Sequence, residues 1–155
     1  MQPSPMSPAS KRIAGVLLLT VVGIEFGGYF LTRVASGKEE LTEFQVAFAR
    51  AGHAHAGVLV ILSLVCLLFA DAAGLRGVLG YVARLAIPLA AILMSAGFFL
   101  SSAGEGRTEP NSLFAVLWLG AASLTVGVVS LGIALLRSAF ARVEPTTAEE
   151  PSVRG

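Results

Sequence analysis

The stretch AGHAHAGVLVILSLVCLLFA, Ala51–Ala70, decides the fold. It holds no Asp, Glu, Lys or Arg. As a helix rising ~1.5 Å per residue it covers about 30 Å, the hydrocarbon thickness of a bilayer. Three further stretches of similar length and character flank it: Ile13–Val34, Leu79–Ala103 and Leu113–Leu136. A helix buried in a soluble core rarely stays apolar on every face for so long. The expected fold is therefore all-α, an integral-membrane four-helix bundle.

Composition agrees with this. Of 155 residues 55% are hydrophobic and only 14% charged, and mean hydropathy is +0.78, far from a soluble average. The length allows one domain, with the four spans inside residues 11–142. The Pro- and Ser-rich residues 1–10 and the Pro-, Glu- and Thr-containing residues 143–155 read as disordered tails. A net charge of +1 without a basic stripe argues against nucleic acid as a partner. Cys66, the single cysteine, lies inside the second span and reads as a small apolar packing residue. Lys11 and Arg12 ahead of an apolar run would also suit a signal peptide cleaved after Val34-Ala35-Ser36. The run exceeds the usual length for one and contains Glu25, so it reads as an anchor.

The segment Ser36–Phe48, with Lys38, Glu39, Glu40 and Glu43, is expected to form a short interfacial helix leading into the second span. The tight Ala72–Gly77 link makes spans two and three antiparallel neighbours. Pro88 is expected to kink the third span, and Asn111 or Ser112 to cap the fourth. Gly23 and Gly27, Gly52 and Ala56, and Gly120, Gly127 and Gly132 recur at intervals that let helices approach closely in lipid. Trp118 reads as a packing residue or an interfacial anchor. Basic residues distribute as Lys11, Arg12, Arg76, Arg84, Arg137, Arg142 and Arg154 on one side, against Arg33, Lys38, Arg50 and Arg107 on the other. The excess orients the chain as a multi-pass protein of the cell membrane with both termini cytoplasmic.

Chemistry concentrates at the outer end of the second span, in Arg50-Ala-Gly-His53-Ala-His55-Ala-Gly57. Ionisable groups beside lipid cost several kcal/mol unless they face a partner, water or a metal. Imidazole suits copper, zinc or iron, with Glu25, Glu105 or Glu109 as a third ligand. Helical residues i and i+2 point about 200° apart, so a regular helix does not aim both rings at one ion. Haem accordingly requires a second chain or a single protein axial ligand. Glu25 lies near the bilayer midplane, roughly 13 Å below the outer end of its helix. There it is either a ligand or proton carrier, or a protonated residue hydrogen-bonded to Tyr29, Thr20 or a serine. Arg50, and Glu105 and Arg107 in the loop above, are candidate cofactor-binding residues.

The run Arg50–Gly57 with Val58-Leu-Val-Ile-Leu-Ser63-Leu resembles a motif of small uncharacterised bacterial four-span membrane proteins. Gly97-Phe-Phe-Leu100 with Glu109-Pro-Asn111 resembles their second recurrent stretch. The resemblance touches about a quarter of the chain and implies a fold rather than an activity. A fainter similarity links the His-Ala-His sequence to membrane proteins related to the haem–copper oxidase catalytic subunit. This chain lacks the further histidines of an oxidase, so that activity does not carry over. Three readings stand on the residues: a protein binding a transition metal or metal cofactor near the outer leaflet, a proton-coupled small-solute transporter working through Glu25, and a structural subunit of a larger membrane complex. The partners expected are the lipid bilayer and further copies or subunits, and the reaction, if there is one, stays open.

Overall fold

The computed structural model describes residues 6–141, and the reading of 143–155 as a tail lies outside them. Four helices follow one another: α1 (Pro8–Ala35), α2 (Glu43–Ala72), α3 (Gly77–Ser101) and α4 (Ala115–Ala141), the last preceded by a 3-10 turn at Ser112–Phe114. All four are long and apolar enough to cross a membrane. The chain is a multi-pass, all-α four-helix bundle.

Local chemistry sets the ends. The Ser7 side chain accepts from the Ser10 amide, and Pro8 stands where a helix has no use for an N–H donor. The N-terminal tail is thus shorter than composition indicates, because helix begins at Pro8 and Ser10 is fully buried. Gly37, at φ +69°, ends α1. The interfacial helix expected over Ser36–Phe48 is not a separate element. The chain turns after Ser36, and a reciprocal capping box between Thr42 and Gln45 starts α2 at Glu43, so Glu43–Phe48 form its first turns. Gly74 and Gly77 take left-handed backbone in the short link to α3. Asn111 accepts from the Leu113 amide and opens the turn into α4, as its position indicates.

α1 lies on α2, α2 on α3 and α3 on α4, while α1 and α4 do not pack together. Leu17 of α1, Leu59, Val60 and Leu67 of α2, and Ala91 and Met94 of α3 form a central cluster, reached by Leu124 of α4. A second cluster joins Cys66, Ala70, Ala83, Ile87 and Leu131. Cys66 is the buried packing residue its position implies. The α3–α4 seam is the closest. A methyl added at Gly97 would lie 2.6 Å from the Leu117 amide nitrogen, and one at Gly127 would lie 2.7 Å from the Ile87 side chain. The Ser123 hydroxyl also donates to the Ala86 carbonyl across this seam at 2.8 Å. Gly23 and Gly132, read as packing glycines, instead face open space.

Candidate functional site

His53 and His55 diverge as the helical period requires. His53 turns to α1, where its ring lies against the backbone of Gly27 and Gly28. A methyl on Gly27 would approach its Nδ1 to 3.2 Å, and one on Gly28 would approach its Cε1 to 3.4 Å. The two glycines make the shallow seat in which an imidazole fits between α1 and α2. Gly27 therefore serves a side chain, where the GxxxG spacing indicates contact with another helix. His55 turns to α3, with its ring centroid 4.9 Å from that of Phe98. Its Nδ1 stands 2.8 Å from the Ala51 carbonyl one turn back. A carbonyl only accepts, so Nδ1 is the donor in this hydrogen bond, and Nε2 makes none among the described residues.

Glu25 lies on the exposed surface of α1. The ion pairs among the described residues are Arg33–Glu39 and Arg84–Asp71, so Glu25 is not paired with either histidine. The Thr20 hydroxyl, one of the partners considered for it, donates to the Leu17 carbonyl. Around Glu25 the α1 surface is apolar and open, with Val22 58% and Tyr29 63% exposed.

The loop between α3 and α4 is held by α2. Gln45 Nε2 donates to the Ser102 carbonyl at 3.0 Å and the Gly104 carbonyl at 2.7 Å. The Thr42 hydroxyl donates to the Arg107 carbonyl. Arg107 Nε donates to the Ala103 carbonyl within the same loop, while Arg50, Glu105 and Glu109 are exposed. No group of three His, Cys, Asp or Glu among the described residues is arranged to hold a metal ion. Among the described residues the ligands read from the sequence, His53, His55 and Glu25, are not gathered into such a group. The physical reason is the divergence of the two imidazoles combined with the outward direction of Glu25.

At the opposite end of the bundle is an arrangement the sequence did not single out. Arg84, counted there only as a basic residue of the inner side, is 8% exposed. Its Nη2 donates to Asp71 Oδ1 at 2.6 Å, its Nε to the Ser10 hydroxyl at 2.9 Å, and its Nη1 to the Gly80 and Leu75 carbonyls at 2.8 and 3.1 Å. Asp71 Oδ2 accepts from the Ser7 amide at 3.0 Å. One guanidinium thus ties α1, the end of α2 and the start of α3 together. The available signal was a lone Asp at the end of an apolar run, followed across a tight link by an Arg inside the next span.

No protein-family model matches the chain, and neither the curated proteins nor the solved structures contain a match for it.

Proposed function

We propose that this chain is a subunit of a membrane assembly in which a further transmembrane segment covers the outward flank of α1 and meets Glu25. The observation that carries the reading is the exposed position of Glu25 inside an apolar helix, with no ion-pair partner among the described residues. A carboxyl group facing hydrocarbon costs several kcal/mol whether it stays charged or takes up a proton without a hydrogen-bond partner. A neighbouring chain, a second copy or another subunit, removes that cost. The test is a photo-crosslinking side chain placed at Val22, on the flank of Glu25, in native membranes. Protein adducts that disappear with Glu25→Leu are expected. Lipid adducts alone at this position would overturn the reading.

A second reading rests on His53, whose ring nitrogens make no hydrogen bond among the described residues. His53, or His55 through Nε2, supplies one ligand to a transition metal, and the neighbouring chain supplies the others. Metal retained by the assembled protein and lost with His53→Ala and His55→Ala supports it. Metal-free protein after chelator-free purification rejects it. The orientation we infer, both termini cytoplasmic, follows the basic-residue excess. A cysteine at Glu40 in a Cys66→Ala background then reacts with impermeant reagent in intact cells, and labelling only after permeabilisation reverses the orientation.

A further inference from the structure

α1 and α3 stand apart along most of their length, and two cavities that share Ile13 as a wall lie between them. The larger is an apolar groove of about 480 Å³, walled by Ile13, Val16 and Ile24 on α1 and by Leu85, Pro88 and Ser95 on α3. From Ile13 to Ile24 it rises about 16 Å, half the ~30 Å hydrocarbon core, so it spans one leaflet. The smaller, about 260 Å³, lies between the start of α1 and the start of α3. Its lining is still mostly apolar but includes Ser7, Arg76, Tyr81 and Arg84.

Charge among the described residues at this end is unbalanced. Among the described residues its only acid is Asp71, already committed to Arg84, which leaves Lys11, Arg12 and Arg76 without an acidic partner. Arg12 lines the groove beside Ile13, and Arg76 lines the smaller cavity. Arg76 also begins α3, whose first amides have no side-chain cap. Free amides at a helix start add to the attraction for an anion but do not by themselves select one. The selection comes from adjacency: Arg12 and Arg76, neither of them in an ion pair among the described residues, border an apolar groove one leaflet deep and the smaller cavity beside it.

We propose that this gap is a binding site for an anionic phospholipid. The phosphate sits among Arg76, Arg12 and the start of α3, and one acyl chain lies in the groove between α1 and α3. A free phosphate would fill only the smaller cavity, and a zwitterionic lipid would fill the groove without answering the unpaired cations among the described residues. The lipid then completes the packing of α1, which otherwise touches α3 very little.

The test is native mass spectrometry of the full chain released from nanodiscs of equal phosphatidylglycerol and phosphatidylcholine. One phosphatidylglycerol per chain is expected to be retained in preference to phosphatidylcholine. A basic residue near a lipid headgroup contributes about a five-fold preference, so Arg12→Gln with Arg76→Gln lowers the preference about thirty-fold. Neither residue pairs with an acid among the described residues, and unchanged helicity confirms that the variant is intact. Thr20→Phe, on the exposed lip of the groove, removes retention of both lipids. Equal retention of the two lipids by the parent chain overturns the proposal. So does stabilisation by inorganic phosphate equal to that by phosphatidylglycerol, or full retention by the Thr20→Phe variant.

Discussion

Replacing Asp71 by Ala tests how α1 is held. The substitution leaves Arg84 with its hydrogen bonds to Ser10, Gly80 and Leu75 but without a counter-charge, in a site where the two side chains are 9% and 13% exposed. Removing one member of a buried ion pair costs about 3–5 kcal/mol, mostly as the penalty of the charge left behind. This site lies at the end of the bundle rather than in its middle, so the lower figure, about 3 kcal/mol, is expected. The Ser7 amide also loses its acceptor, which exposes the first turn of α1 to fraying. Unfolding in mixed micelles with increasing denaturing detergent gives the stability, and amide exchange over residues 8–14 gives the local effect. The double variant Asp71→Leu with Arg84→Met removes both charges and keeps apolar volume, so it should return to within about 1 kcal/mol of the parent. A loss below about 1 kcal/mol for Asp71→Ala, or a double variant no better than the single one, would refute the view that Arg84 is held charged by Asp71.

The helix seams give a paired test. Gly97→Ala forces α3 from the α4 backbone and should cost about 1–3 kcal/mol, whereas Gly132→Ala, facing open space, should be neutral or gain up to about 1 kcal/mol from helix propensity; the same unfolding measurement reads both, and equal losses would contradict the α3–α4 geometry. Gln45→Leu leaves the Ser102 and Gly104 carbonyls without their donor and undoes the capping box, a loss of about 1–3 kcal/mol with faster amide exchange in residues 102–111. Gly27→Leu fills the seat of the His53 ring, and a changed imidazole chemical shift for His53 with an unchanged one for His55 is the expected nuclear magnetic resonance signature. Glu25→Gln keeps size and some hydrogen bonding but cannot ionise; if Glu25 meets its neighbour as a charged group, assembly weakens with Gln as it does with Leu, and if it meets it as a neutral acid, Gln is nearly silent.

The four spans were legible because length and unbroken apolarity are one-dimensional properties. Asn111 was legible as a cap for the same reason, since a cap acts within three residues of itself. The 200° divergence of His53 and His55 also followed from helical period alone. What each ring touches did not, because that depends on which helix lies on which side. Faces are hard to read in helices apolar all round, where lipid and core demand the same residue types. Hence Gly27 and Gly23 looked equivalent, though one seats an imidazole and the other faces open space. The Arg84 clasp was hidden by distance, its partners Ser10 and Asp71 standing 74 and 13 residues away in the chain.

The unexplained features gather on α1. The α2–α3–α4 core closes through glycine seams and buried Leu and Ile side chains, whereas α1 is joined to it by Leu17, the His53 seat and the clasp at its first turn. Thr20, on the groove, and Glu25 are five residues apart and so about 140° apart around the helix axis. One flank of α1 thus faces the gap toward α3 and another carries the carboxyl group. A lipid in the gap and a protein neighbour at Glu25 can occupy α1 together without competing for surface. Each then stabilises the helix that its own chain holds least, so loss of either should weaken retention of the other, a reciprocity that linkage requires if both act through the position of α1.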